Sequence, residues 1–200
     1  MAASTGGLIP HNRLGGTPNS SGTQKFWIAA SESADFFQGD LCLLTADGDL
    51  APSTAIDDER TVGVFQGCQY EDANGVPTFT NYYNSTIASE GMIAHVITDP
   101  FQLYRIRIAN SDEDDTLTRE AIGLNYDIEY NTASTVSGMS GMCLDSGTTG
   151  ATGAAQLKLV DLVNVDGSDS PTTATSSTTY THGVVMLMPS ISMWLADTGI

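Results

Sequence analysis

The sequence predicts an all-β protein: an antiparallel β-sandwich or barrel, jelly-roll-like, with at most one short helix and an extended N-terminal arm. Three observations predict it. Short apolar runs recur along the chain, separated by turn signals rich in Gly, Asp, Asn and Pro. Some of these runs alternate with period two, most clearly where Tyr104, Ile106 and Ile108 interleave with Arg105 and Arg107. No apolar pattern of helical period continues beyond about two turns, and many short strands between turns are the mark of a sandwich or barrel.

Residues 1–25 stand apart. They are rich in Gly, Ser, Thr, Asn and Pro and hold no carboxylate, the first acid being Glu32. Their charged side chains are Arg13 and Lys25. This reads as a slightly positive, conformationally loose arm on a negative body over 26–200, able to order against a neighbour. The body begins with the strand Phe26-Trp27-Ile28. Asp40 to Leu44 follows and ends at the turn Asp47-Gly48-Asp49. Thr61 to Gln69 runs toward Asn74-Gly75, a dipeptide suited to the positive φ angles of a hairpin turn. Met92 to Thr98 and Phe101 to Ala109 are the next strands.

After the acidic turn 112–115, Thr116 to Ile122 reads as the short helix. Asp115 or Thr116 caps its start and Gly123 supplies a left-handed stop. A Ser/Thr/Gly loop spans 131–155, interrupted by Met142-Cys143-Leu144. Leu157 to Val165 is a strand, 166–181 a second polar loop, and Val184 to Met188 with Ile191 to Leu195 close the chain. Long polar loops of this kind are candidate contact surfaces.

Composition narrows the function. The 200 residues suffice for one domain with a real core. Seven Lys and Arg oppose 24 Asp and Glu, a formal charge of −17. Phosphate neutralisation needs clustered cations, so nucleic acid is excluded as a partner, and an anionic membrane equally. Cys42, Cys68 and Cys143 are odd in number and lack CxxC spacing, which fits free thiols made in a reducing cytoplasm. The N-terminus carries no signal-peptide pattern, so the sequons at Asn19 and Asn84 read as chance. No apolar run is long enough to span a bilayer.

Chemical motifs are sparse. Asp145-Ser146-Gly147 and Asp197-Thr198-Gly199 match the loops of aspartic proteases, in which two carboxylates share a proton. Asp197 has three residues after it, too few for the supporting segment, and the loops stand only 52 positions apart (197 − 145). His11, His95 and His182 are scattered, without HExxH or His-x-His spacing. The acidic runs 57–59 and 112–115 lack the alternation of an EF-hand loop. The reading is therefore not an enzyme, with no cofactor and no metal.

Several segments together resemble a family of structural proteins from the heads of tailed bacteriophages, marine ones especially. They are KFWIAAS at 25–31, GDL at 39–41, VGVFQGCQY at 62–70, NGVPTFTNYY at 74–83, AHVITDPFQLYRI at 94–106 and IGLNYDI at 122–128. The last 70 residues carry no part of it. The family implies a capsid decoration (cement) protein on the outer surface of an icosahedral head. It would be made in the bacterial host cytoplasm and carried on the virion. Its partners would be the major capsid (coat) protein and copies of itself, in trimers, with dimers the alternative. The expected shell contact is the arm, through Leu8, Ile9, Pro10, Arg13, Leu14 and Lys25, by strand addition. The alternative function is a tail, fibre or vertex component with receptor-recognition loops at 145–155 and 166–181. A third class is an enzyme, an Asp145 protease or a calcium-assisted hydrolase.

Overall fold

The computed structural model describes residues 6–16, 22–54, 61–86, 88–111, 113–148, 155–163 and 179–195. In chain order the strands are β1 (Ile9–Arg13), β2 (Gln24–Trp27), β3 (Phe36–Phe37), β4 (Leu41–Leu44), β5 (Leu50–Pro52), β6 (Thr61–Asp72), β7 (Pro77–Thr80), β8 (Tyr82–Tyr83) and β9 (Ala88–Ile97). They continue as β10 (Gln102–Asn110), β11 (Glu113–Asp114), β12 (Leu117–Thr118), β13 (Asn125–Tyr126), β14 (Ile128–Tyr130), β15 (Met142–Asp145), β16 (Leu157–Val163), β17 (Thr179–Tyr180) and β18 (His182–Leu187). The all-β, mainly antiparallel class expected from the sequence is the fold.

One sheet rolls into a nearly closed barrel. Its order is β13-β16-β18-β10-β15-β14, so its two ends are consecutive pieces of a single stretch, 125–130. That stretch turns at Asp127. Its first half pairs with β16 and its second half with β15, while the Asp145 amide donates to the Asp127 carbonyl at 3.0 Å. A barrel leaves few open edges along its wall. Its interior is filled by Tyr104, Ile106, Ile108, Ile128, Leu144, Leu157, Leu159 and Val185, all about 1% exposed or less. The period-two run at 104–108 is the strand that supplies three of these.

The second sheet is β2-β9-β6-β4-β5, with β7 on the far end of β6. Residues that alternate along its strands serve two cores. Leu41, Val64 and Ile97 join the barrel core, whereas their neighbours Cys42, Phe65 and Val96 face the other way. That opposite face is covered by Phe36, whose ring packs on Phe65 at 5.5 Å and edge-on to Tyr83 at 5.6 Å. Close strand approach is required at Gly63, where a Cβ would collide with the Ile97 carbonyl.

The β6–β7 hairpin lies where the Asn74-Gly75 signal places it, with a different turn. Only Gly75 has positive φ, at 75°. The loop is three residues, Ala73 to Gly75, closed by Asp72 amide to Val76 carbonyl at 3.1 Å. The Asp72 carboxylate accepts from the Asn74 and Val76 amides at 2.8 and 3.0 Å. The Asp72 side chain, beside the Asn74-Gly75 dipeptide, closes the turn.

Three expectations are corrected. The helix over 116–122 is instead strand β12 followed by a three-residue 3-10 turn, Arg119–Ala121, with no side-chain cap. Leu117 pairs with Tyr180, and this ladder outcompetes a short helix that has no amphipathic face to bury. Gly123 does take positive φ, at 90°. Residues 191–195 form turns with a single bridge from Ser192 to Thr61 in place of a strand. The arm is bound to its own body over residues 6–14. β1 pairs with β10, and Leu8 is fully buried in the barrel core. Lys25 belongs to β2, in the second sheet. An apolar Leu-Ile-Pro run gains more from that burial than from solvation.

Candidate interaction surfaces

β2, β9, β6 and β7 lie side by side, and their register defines one cross-strand row. Trp27 stands opposite Ile93, Ile93 opposite Gln69, and Gln69 opposite Phe79. Directly opposed residues share a face, so Trp27 and Phe79 occupy the two edges of one surface. They are 64% and 75% exposed. The next row on that face holds Lys25, His95 and Gly67. Nearer β4 the same face is covered by the barrel, through Val64 and Ile97. The sheet therefore extends past the barrel as a wing; among the described residues its face is exposed at the Trp27 and Phe79 edges and half-buried at Ile93, His95 and Gln69 between them. Thr23 reaches the His95 ring at 3.5 Å from the same side of β2.

The residues expected to form an arm contact are divided by the structure. Leu8 is buried, its amide donating to the Gly39 carbonyl at 3.0 Å. Ile9 and Pro10 are half-buried opposite Arg105 and Tyr104. Arg13 pairs with Asp99, Nε to Oδ2 at 2.6 Å. Leu14 is exposed beside Phe101, to whose carbonyl its amide donates at 2.8 Å. Lys25 is exposed on the wing, away from β1 in the sheet order. Thus Arg13 and Leu14 share one surface with Phe101, and Lys25 shares another with Trp27. Val136, at the apex of the turn between Ser134 and Met139, is 97% exposed.

Trp27 and Phe79 escaped the sequence reading as outward residues. For β2 the signal exists: Phe26 and Ile28 pack inward, so Lys25 and Trp27 point out by alternation. For Phe79 the flanking threonines face the core side, opposite Tyr70 and Cys68. An apolar-in, polar-out rule inverts this strand.

The titratable groups gather elsewhere. A cleft of about 270 Å³ opens between the barrel and the second sheet, lined by Asp35, Asp40, Ser53, Tyr130 and Asn131 among others. Burial pushes the Asp40 carboxyl up to about 6, against hydrogen bonds from Ser140 and the Phe37 amide. Tyr130 binds Ser53 Oγ at 2.8 Å and accepts from Gln156 at 2.9 Å. Asp40 and Asp35 each accept backbone and hydroxyl donors, the bonding of turn-forming carboxylates. Burial pushes the Cys68 thiol up to about 12 and raises Cys42 and Cys143 as well, so none of the three is an activated nucleophile.

Asp145 ends β15 and accepts from the Gly147 amide at 2.8 Å; Ser146 donates to Asp115. These bonds make a turn on the barrel rim. Asp197 lies outside the described residues, as do Asp112, the run 57–59, and most of the proposed recognition loops. Burial and the nearby Arg105 and Arg107 lower the His182 pKa. Arg107 is itself buried and paired with Asp114 at 2.7 Å. Among the described residues no three His, Cys, Asp or Glu side chains gather as metal ligands, and no helix is long and apolar enough to cross a membrane. No family model, curated protein or solved structure matches this chain.

Proposed function

We propose that the protein is a capsid decoration protein, binding the outer surface of a tailed-phage head and bridging coat subunits. One observation carries this reading. The segments that resemble the phage head family are the framework of the fold, and their described residues bring together no activated nucleophile and no cluster of metal ligands. KFW is β2, VGVFQGCQY is most of β6, NGVPTF is the turn and start of β7, and AHVITDPFQLYRI joins β9 to β10. They build the wing and its junction with the barrel. A resemblance concentrated on a scaffold and its open faces supports a role exercised through surface contact.

The exposed Leu14–Phe101 pair on the barrel, beside the Arg13–Asp99 ion pair, is the proposed shell contact. It gives a bridging protein an apolar anchor with a polar rim. Its acidic body keeps unbound copies soluble. The test is co-sedimentation of the purified protein with expanded shells that lack it. Saturation at a simple ratio to the coat subunit is expected, with binding lost in Leu14→Ser combined with Phe101→Ser. Absence of wild-type binding refutes the decoration reading. Undiminished binding of the double variant refutes this choice of contact.

A further inference from the structure

We propose that the wing face edged by the exposed Trp27 and Phe79 is a self-association surface, on which a second copy of this chain packs about a two-fold axis. The inference deepens the self-association that the decoration reading includes. Its test uses purified protein without shells, so its failure leaves shell binding untouched.

The first argument is charge. The chain carries −17, so two copies repel over most orientations. The two rows of the wing face present Lys25, His95, Gly67, Trp27, Ile93, Gln69 and Phe79, with no carboxylate among them. The next acid along β6 on this side is Glu71, opposite Pro77 and Glu90. A foreign partner could be met by any acidic face with suitable counter-charges. Two copies of an acidic chain meet most easily where acids are few, and these two rows hold a lysine and a histidine and no acid, with Glu71 at their margin.

The second argument is self-complementarity. Trp27 and Phe79 sit at opposite ends of one row, three strand spacings apart, roughly 14 Å. A two-fold axis parallel to the strands, lying between two stacked wings, carries each Trp27 over the partner copy's Phe79. One row then makes two aromatic contacts. A closed two-fold contact needs such a self-matching patch. Each aromatic side chain brings about 150–250 Å². Two per copy, 64% and 75% exposed, supply roughly a third of the about 800 Å² per partner of a standard interface. That area and the surrounding negative charge predict a concentration-dependent dimer, strengthened by salt as repulsion is screened. The resemblance implies trimers; this geometry favours pairs.

The test is sedimentation velocity of the full chain over a wide concentration range, at low and physiological salt. A monomer–dimer equilibrium is expected. Trp27→Ser and Phe79→Ser should each weaken it about tenfold or more. Lys25→Glu, which adds a carboxylate to the face without removing apolar area, should weaken it at low salt and less at high salt. Val136→Ser, on another surface, should leave it unchanged. Melting temperatures identify any variant that has lost its fold, in which case Lys25→Glu and the remaining aromatic variant decide the matter. A wild type that stays monomeric overturns the proposal. So does a trimer, an oligomer indifferent to these face variants, or one equally sensitive to Val136→Ser.

Discussion

Leu8→Ala tests whether the N-terminal segment belongs to the body. Leu8 is fully buried among Leu41, Tyr104 and other barrel-core residues, and its amide donates to Gly39. Removing three buried carbons loses their transfer free energy and leaves a cavity that a closely packed barrel collapses only in part. Such substitutions cost about 3–5 kcal/mol at fully buried sites. Against a domain stability of about 5–15 kcal/mol, that is a large fraction. For a chain of this size it corresponds to a fall in Tm of roughly 6–20 °C. Urea unfolding followed by far-ultraviolet circular dichroism measures it directly. The midpoint should drop while the m value holds, because the surface exposed on unfolding is nearly unchanged. A loss within about 0.5 kcal/mol, the size of an ordinary surface change, would refute the placement of Leu8 and restore a free arm. The same burial means that deleting residues 1–20 takes away β1 and Leu8, so lost shell binding in such a truncation would report unfolding as readily as a lost contact.

Asp40 has its pKa raised by burial from 3.8 to about 6, so its contribution to stability is fully present below the unfolded value and is lost as pH rises through 6. At pH 7 this costs roughly 3 kcal/mol relative to acid; Asp40→Asn should therefore be as stable as wild type or more so at pH 7 and lose that advantage near pH 4, and an equal destabilisation at both pH values in urea titrations would contradict it. Gly63→Ala places a Cβ against the Ile97 carbonyl and should cost more than about 4 kcal/mol, seen as loss of cooperative melting; a normal melt would contradict the close approach of β6 and β9. Asp72 has its pKa lowered by the Val76 and Asn74 amides, so it stabilises the hairpin above its unfolded pKa, an effect lost as pH falls through the depressed folded value. Asp72→Ala should speed hydrogen exchange at Val76, and unchanged protection there would remove the carboxylate's role.

The legible parts of the fold were those where local pattern and tertiary role agree. Tyr104, Ile106 and Ile108 alternate because one face of β10 fills the barrel. Thr61 to Gln69 reads as a strand because it is buried almost throughout. Residues 125–130 were illegible: two short pieces joined at Asp127 gain their strand character only from β16 and β15, which arrive later in the chain. Leu8-Ile9-Pro10 sits in a stretch whose composition signals a loose terminus, and three apolar residues outweigh that signal only when a barrel core is there to receive them. The wing face was half legible. Trp27 follows from alternation with Phe26 and Ile28. Phe79 does not, because on β7 the threonines take the covered side and the aromatic is left to solvent.

Absolute quantitation of the protein in purified phage particles, by mass spectrometry against the coat protein, decides whether the proposed shell role holds. Hundreds of copies per particle, in simple ratio to the coat subunit, is the predicted result. A few copies would move the protein to a tail or vertex, and none would rule out a structural role in the particle.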